Sequence, residues 1–220
     1  GPHYGVTLAR GRADPVRTGA DLVALATDPA EPGIARATAL WLIEQSGEPE
    51  LAAAVAGLLE DPDPVVRQAA VGAQRAAPPQ DRVLGLVERL DDPVRSVRMA
   101  AARQMLDAPI ARLPDAIAAD LQAAMNEWQA ALGSRLDYPE THLQLGGMAL
   151  VMRNPPAAEG AFREVVRLDP QRTDAWGMLA RIAAATQGAE AASAVVDEAL
   201  SINPEDQTLQ RLSSELANAR

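Results

Sequence analysis

The residue types that most often carry chemistry are few in this chain, and their positions suggest structural roles. There are two histidines and no cysteine, which excludes disulfides, thiolate metal sites and a cysteine nucleophile. Acidic pairs such as Asp61 with Asp63 and Asp91 with Asp92 stand at predicted helix starts, where the helix dipole stabilises negative charge. We therefore interpret them as helix caps rather than as general acid–base pairs.

Each histidine has a structural interpretation. His3 lies in a Pro-His-Tyr-Gly run, and an isolated histidine can ligate haem iron, but no Cys-x-x-Cys-His attachment motif occurs. His142 stands 34 residues before Trp176 at the same repeat phase, which indicates a packed side chain. No glycine-rich phosphate loop, Ser-His-Asp order or carboxylate–histidine cluster is evident. The sequence predicts no catalytic site, no metal site and no cofactor in this chain.

Three arginines carry the clearest pattern. Arg36, Arg67 and Arg98 are spaced 31 residues apart, and each closes a Pro-containing turn before an Ala-rich apolar run. This repetition predicts a stacked helical solenoid. A row of arginines can also bind anions. The aspartates in the same turns favour an ion-pair ladder instead, because planar guanidinium groups pair well with carboxylates.

The apolar residues around these turns predict antiparallel helix pairs. Asp-Pro steps mark the turns, because Asp can cap a helix and Pro fits the first helical positions. In the second helix of each pair, spacing near i, i+3, i+4 predicts a buried face comprising Ile34, Ala37, Ala39, Leu40, Leu42, Val65, Val66, Ala69, Ala70, Ala73, Val97, Ala100, Ala101 and Met105. The first helices are predicted to contribute Leu51, Val55, Leu58, Leu59, Val83, Leu84, Leu86, Val87 and Leu90.

The segments 61–70 and 92–101 resemble HEAT repeats, since turn, Val-Arg and Ala-Ala recur in register. The resemblance implies that each arginine pairs with a turn aspartate of the same or an adjacent repeat. Applied to this chain, it gives Arg67 with Asp61 or Asp63, and Arg98 with Asp91 or Asp92. The first repeat departs from the pattern, because Asp28 precedes Arg36 by eight residues instead of six.

The second half of the chain has a different period. Pro170 and Pro204 are 34 residues apart, and the segments before them resemble tetratricopeptide repeats. We expect Gly146 and Ala158 to let paired helices approach closely, and Phe162 to fill the interface to the next pair. The resemblance implies a peptide-binding concave face at Glu140, Leu143, Gly147, Leu150, Asp174, Gly177, Arg181 and Ala184. Arg181 is the only cation there, so the carboxylate clamp of some family members is missing.

These patterns predict an all-α solenoid, with a HEAT-like array followed by a tetratricopeptide array. The expected boundaries are an extended segment over 1–16, HEAT-like repeats over 17–113, and tetratricopeptide-like repeats over 114–220. Residues 115–139 are a transition that contains a partial repeat. A half-polar terminal helix from about residue 205 is expected to cap the array.

Composition restricts the partners. The 220 residues carry a formal net charge of -10, which disfavours nucleic acid because phosphate binding needs clustered cations. A basic partner fits this charge. The longest apolar stretches fall far short of the roughly 20 residues that span a bilayer. The chain starts without Met, and we expect it to be a fragment of a longer protein.

Two function classes follow. The first is a non-catalytic scaffold that binds a protein, a peptide or another domain of the parent chain, with an oligomeric state that the sequence does not predict. The second rests on a further resemblance, to the C-terminal region of exported multihaem cytochromes c. The segments that carry it are the Pro-His-Tyr-Gly start, the predicted helix at 21–25 and residues 34–40. It implies an accessory electron-transfer domain without haem, located in the periplasm; without that resemblance we expect a cytoplasmic protein. A resemblance to HEAT-like chromophore lyases gives a third possible function in addition to these two, and we rank it last.

Overall fold

The structure, a computed structural model, describes residues 3–106 and 113–218. Within these ranges the chain forms thirteen α-helices and three short 3₁₀ helices, and no β-strand. The predicted all-α class is confirmed for these residues. The helices form two compact units, residues 1–129 and 130–220, and each is described by itself.

The first unit alternates short helices with longer ones. Its α-helices are α1 (Tyr4–Ala13), α2 (Gly19–Thr27), α3 (Gly33–Ser46), α4 (Pro49–Ala54), α5 (Pro64–Ala73), α6 (Pro79–Leu86), α7 (Arg95–Met105) and α8 (Asp115–Gly133), whose last residues lie past the unit boundary. The 3₁₀ helices are Ala56–Glu60, Gln74–Ala76 and Val87–Asp91. Helix α5 lies between α3 and α7 and contacts both.

The second unit consists of helix pairs and a last single helix. Its members are α9 (Pro139–Val151), α10 (Pro155–Leu168), α11 (Thr173–Thr186), α12 (Ala189–Ile202) and α13 (Gln207–Asn218). Helix α9 packs on α10, α10 on α11, α11 on α12, and α12 on α13. This serial contact of neighbours is typical of a helical repeat array.

The N-terminal segment is helical rather than extended as predicted over 1–16. His3 caps α1, because its Nδ1 accepts a hydrogen bond from the Gly5 N–H at 3.1 Å. Leu8 is buried in the first core, and a Cβ on Gly11 would lie 2.9 Å from methyl groups of Leu22 and Leu42. Tertiary packing of this small face, which shows little apolar periodicity, accounts for the helix.

The first core confirms most of the predicted stripe and corrects three positions. Ile34, Val65 and Leu84 are 69%, 48% and 76% exposed. Consecutive helical residues point about 100° apart, so Val65 and Val66 cannot both face the core, and the structure buries Val66 completely. In α6, Leu86 is likewise buried completely and Leu84 is exposed.

The three repeat arginines form a ladder that runs from each repeat to the next. Arg36 pairs with Asp61. Arg67 donates from Nε and Nη2 to the two carboxylate oxygens of Asp92, at 2.8 and 3.0 Å. Arg98 makes the same two-pronged contact with Glu127, at 3.0 and 2.6 Å. The expected pairing with carboxylates of the arginine's own turn is therefore wrong.

The arginine's own turn contributes a backbone carbonyl instead. Arg67 Nη1 donates to the Asp61 carbonyl at 2.8 Å, and Arg98 Nη1 donates to the Asp92 carbonyl at 2.7 Å, six residues back in each case. Arg36, after its longer turn, reaches the Ala26 carbonyl ten residues back, at 2.9 Å. Each guanidinium thus joins its own turn to the following repeat.

The turn aspartates are oriented for this role by their own backbone. Asp61 Oδ1 accepts the N–H of Asp63 at 2.9 Å, and Asp92 Oδ1 accepts the N–H of Val94 at 2.9 Å. These local bonds fix the carboxylates across the start of the next helix. In this orientation Asp61 Oδ2 accepts from Arg36, and both oxygens of Asp92 accept from Arg67, so each carboxylate meets the arginine of the preceding repeat.

Helix α8 extends the first unit beyond the predicted boundary at residue 113. Its Ala124 is buried in the first core, with Ile117, Leu121 and Met125 packed against it. Glu127 supplies the last carboxylate of the ladder, and its carbonyl also accepts from Arg95 Nη2 at 2.9 Å. Residues up to 129 therefore belong to the first compact unit.

A second regular bond recurs in the tetratricopeptide unit. Trp176 Nε1 donates to the Pro170 carbonyl at 2.9 Å, and Gln210 Nε2 donates to the Pro204 carbonyl at 2.7 Å. His142 Nε2 lies 2.8 Å from the Leu136 carbonyl. All three donors are 34 residues apart, so α13 begins as the first helix of a further repeat, and its Leu209 is fully buried.

The close approach of paired helices predicted at Gly146 is confirmed, and the side chain that meets this glycine is Phe162. A Cβ on Gly146 would lie 2.8 Å from the ring of Phe162. Phe162 on α10 therefore packs against α9 of its own helix pair, in addition to its place in the second core.

We expect Asp92→Asn to lower the free energy of unfolding of the first unit by about 3 kcal/mol. The substitution keeps the acceptor for Val94 but leaves Arg67 unpaired, and breaking a buried ion pair costs about 3–5 kcal/mol. Urea denaturation with hydrogen exchange of α5 and α7 measures this. Asp21→Asn, which breaks the exposed pair with Arg10 in the same unit, is the control and should cost less than about 1 kcal/mol. Equal effects of the two substitutions would contradict the ladder's role.

The ladder also predicts a dependence on pH. Burial raises the pKa of Asp92, but hydrogen bonds from Arg67 and Val94 and the charges of Arg67 and Arg89 outweigh it, so the pKa lies below its ordinary value. The Arg98 hydrogen bond lowers the pKa of Glu127 in the same way, against a smaller effect of burial.

Because these folded-state pKa values are depressed, the unfolded chain takes up protons first as the pH falls below about 4. Their stabilisation is present above that pH and is lost as the pH falls through the folded-state values. Urea denaturation at several acidic pH values should show a shallower decline for Asp92→Asn than for the unmodified chain. Parallel declines would contradict this assignment.

Candidate binding surfaces

The surface predicted in the second unit is partly occupied by contacts within the chain. Arg172 Nη1 donates to Glu140 at 3.0 Å, and its Nε and Nη2 donate to Asp174 at 3.1 and 2.8 Å. The Arg172 hydrogen bond is the main cause that holds the pKa of Asp174 below its ordinary value, against the opposing effect of burial. The structure thus brings the predicted Glu140 and Asp174 together, and both carboxylates pair with Arg172 across neighbouring repeats.

The other predicted residues of this face divide into packed and open positions. Leu143 and Leu150 are half-buried against the second core. Gly147 and Gly177 have open space where a Cβ would stand. Arg181 is exposed and lies 3.6 Å from the sulfur of Met178, and it forms no ion pair with the residues that the structure describes. The binding role of this face stays a prediction.

A groove lies in the first unit, on the face formed by α3, α5 and α7. It has a volume of about 280 Å³. Small residues form much of its floor, which leaves room between the helices. Its lining residues are Ala37, Trp41, Glu44, Val65, Gln68, Ala69, Gly72, Ala100, Arg103 and Gln104. We call it the B-helix groove, because α3, α5 and α7 are the second, or B, helices of the predicted pairs.

The B-helix groove changes in chemical character from one repeat to the next. Trp41, Gly72 and Arg103 are 31 residues apart and occupy one phase of α3, α5 and α7. Trp41 is 50% exposed, and Gly72 beside it presents no side chain. At this phase the groove therefore has an indole at its first repeat, no side chain at the second, where the Glu44 carboxylate lies over Gly72, and a guanidinium at the third.

Two charged groups of the groove lack a partner among the described residues. Glu44 is half-buried, and its Oε2 would lie 2.9 Å from a Cβ on Gly72. Arg103 is exposed. No described carboxylate or cation forms an ion pair with either of them, whereas the ladder arginines of the same helices are all paired.

Sequence reasoning did not find the B-helix groove, although a signal was present. The 31-residue spacing predicts only the row of arginines, and the apolar pattern of the same helices predicts core positions. Ala37 is buried as expected, but Ala69 and Ala100 are only partly buried and line the groove. A tryptophan at a phase that holds glycine in the next repeat was the available signal.

The arginine ladder itself does not form an anion-binding strip. A second cavity of about 360 Å³ adjoins it and is lined by two of the paired groups, Arg67 and Arg89, and by five carboxylates: Glu60, Asp61, Glu88, Asp91 and Asp92. Arg89 pairs with Glu60 at 2.7 Å, and Arg67 is held by Asp92. This surface is acidic, so the structural interpretation of the arginine row is the better one.

The groups singled out for metal or cofactor chemistry have structural roles. His3 caps α1 and its ring lies 4.1 Å from that of Tyr4. His142 is buried and contacts the Leu136 carbonyl. Among the described residues, no three carboxylate or histidine side chains are grouped so that they would hold a metal ion. The same residues include no helix with the length and apolar character required to cross a membrane.

Comparison with known families agrees with this geometry. Residues 19–107 match the family model for HEAT repeats, and residues 149–216 match that for the tetratricopeptide repeat. The chain joins HEAT repeats to tetratricopeptide repeats. The B-helix groove thus lies within the HEAT repeats, and the face with Arg181 lies within the tetratricopeptide repeats. No curated protein and no solved structure matches the chain, so the resemblance to multihaem cytochromes stays a prediction.

The exposure of Trp41 makes the B-helix groove measurable by fluorescence. The other two tryptophans, Trp128 and Trp176, are 7% and 2% exposed, so acrylamide should quench mainly Trp41. We expect Gly72→Leu to reduce this quenching by about half, because the new side chain covers apolar surface beside the indole. Stability should change by no more than about 1 kcal/mol, since only the end of Glu44 must move.

The control is Gly160→Leu in α10, which lies outside the groove and where a Cβ meets open space, whereas a Cβ on Gly72 must displace the end of Glu44. It should leave quenching unchanged. Equal quenching in the unmodified chain and in Gly72→Leu would show that Trp41 and Gly72 do not share an open groove.

Proposed function

We propose that this protein is a non-catalytic interaction scaffold whose HEAT repeats bind a segment of a partner protein in the B-helix groove. HEAT and tetratricopeptide repeats commonly serve as protein-interaction scaffolds. The observation that carries the proposal for this surface is the half-exposed Trp41 on the wall of a groove with a floor of small residues. Tryptophan is among the residues most enriched at sites that dominate binding energy.

The surrounding groups support a peptide ligand rather than a reaction. Exposed apolar side chains rimmed by polar ones are typical of protein-binding sites, and here Val65 and Trp41 stand beside Gln68 and Glu44. None of the described residues that line the groove is a nucleophile. The net charge of -10 and the pairing of the ladder arginines disfavour nucleic acid as the partner.

The face of the tetratricopeptide repeats is a second candidate surface. Arg181 is exposed there, and Gly147 and Gly177 leave space above the first helices of two successive repeats. We propose that this face, if used, makes the weaker contact, because both of its carboxylates are already paired with Arg172.

Selection from a random twelve-residue peptide library against the immobilised protein tests the proposal. We expect enriched peptides whose affinity falls at least about tenfold with Trp41→Ala, as is typical of a central interface tryptophan. Leu84→Ser is the control, because Leu84 is 76% exposed on α6 and lies outside the groove. Arg181→Gln reports on the second surface.

Peptides that bind equally well to the unmodified protein, Trp41→Ala and Gly72→Leu would contradict the assignment to the B-helix groove. If those peptides instead lose affinity with Arg181→Gln, the binding surface is the one on the tetratricopeptide repeats.

A further inference from the structure

The two unpaired charges of the B-helix groove differ in sign and lie on its two outer helices. Glu44 belongs to α3 and Arg103 to α7, with α5 between them. A segment that binds there, as in the proposed function on which this inference rests, must complement both charges.

The α3 end of the groove is suited to a basic side chain. Trp41 and Glu44 are three residues apart on one helix, so their side chains share a face. A cation between them meets both the indole face and a carboxylate, which attract it by cation–π and Coulombic interaction. Glu44 is half-buried over Gly72, where screening by water is reduced.

The α7 end is suited to a carboxylate. The Arg103 guanidinium carries five N–H donors, and none of them is used by a described residue. A planar guanidinium binds a carboxylate through two parallel hydrogen bonds. Phosphate also fits a guanidinium, but the Glu44 carboxylate in the same groove repels a ligand with several negative charges.

The middle of the groove is suited to extended backbone with a modest apolar side chain. Ala69 and Ala100 leave a shallow apolar floor, and the Gln68 amide is available to peptide N–H and C=O groups. Neighbouring packed helices are about 8–10 Å apart, so the axes of α3 and α7 are about 16–20 Å apart. At about 3.3 Å per residue, five or six extended residues cover this span.

From this geometry we infer that the B-helix groove selects an extended protein segment with a lysine or arginine about five residues from an aspartate or glutamate. The basic side chain enters between Trp41 and Glu44, and the acidic one pairs with Arg103. An apolar residue between them lies over the alanine floor.

Two synthetic hexapeptides with acetyl and amide ends test this inference, Lys-Ala-Ala-Leu-Ala-Asp and the reverse order Asp-Ala-Leu-Ala-Ala-Lys. Testing both orders covers the two directions in which a chain can lie. Each is titrated against the protein with Trp41 fluorescence as the readout. The peptides with norleucine for Lys, or Asn for Asp, complete double-mutant cycles with Glu44→Gln and Arg103→Gln.

We expect at least one order to bind, with a coupling of about fivefold or more between Lys and Glu44 and between Asp and Arg103. The crossed combinations, Lys with Arg103→Gln and Asp with Glu44→Gln, should show little coupling. Glu50→Gln and Arg75→Gln are matched controls, because both residues are exposed in the same unit and neither lines the groove. They should leave both affinities unchanged.

The peptides selected from the library distinguish an error in the ligand class from an error in the assigned binding surface. If they depend on Trp41 while neither hexapeptide shows the paired couplings, the ligand class is wrong and the scaffold proposal stands. If no selected peptide depends on Trp41, the proposed binding in the B-helix groove fails as well. Dimerisation of the unliganded protein that Trp41→Ala abolishes would identify a second copy of the chain as the occupant, and would overturn the inference.

Discussion

The pairing of each repeat arginine with a carboxylate further along the chain, buried for Arg36, largely buried for Arg67 and partly buried for Arg98, is the constraint on which the HEAT unit depends. A guanidinium buried without a partner is costly, so Arg67 must keep both its own turn carbonyl and Asp92 within reach. Those two contacts fix how far one repeat lies from the next. The ladder thus sets the spacing of α3, α5 and α7, while apolar packing supplies most of the free energy.

The B-helix groove follows from that spacing. With the ladder holding one edge of the three helices, the opposite positions are free to vary, and here they hold Trp41, Gly72 and Arg103 at one phase. The side chains of the floor are too small to fill the space between the helices, so the groove stays open. A groove formed by fixed helices needs little rearrangement to bind a ligand, which lowers the entropic cost of binding. In the tetratricopeptide unit the carbonyl bonds of Trp176 and Gln210 play the corresponding ordering role.

Periodicity predicted the helices and repeat classes because it reports directly on which positions are buried. The all-α fold, the two repeat families and the packing at Gly146 were all available from it. Periodicity does not specify contacts between repeats. The partner of Arg67 depends on how the Asp92 carboxylate is turned by the Val94 N–H, and the boundary depends on Glu127 continuing the ladder in α8. The groove was missed for a related reason, since an exposed position such as Val65 is indistinguishable by composition from a core one.

The most direct test of the ladder is nuclear magnetic resonance of the arginine side chains. If the account is correct, the Nε–H protons of Arg36, Arg67 and Arg98 exchange slowly with water, because each is held by a carbonyl or carboxylate in a shielded site. The Nε–H protons of Arg75 and Arg103 provide the exposed reference. Exchange of the ladder protons as fast as that of the reference protons would contradict the claim that these pairs hold the repeats together.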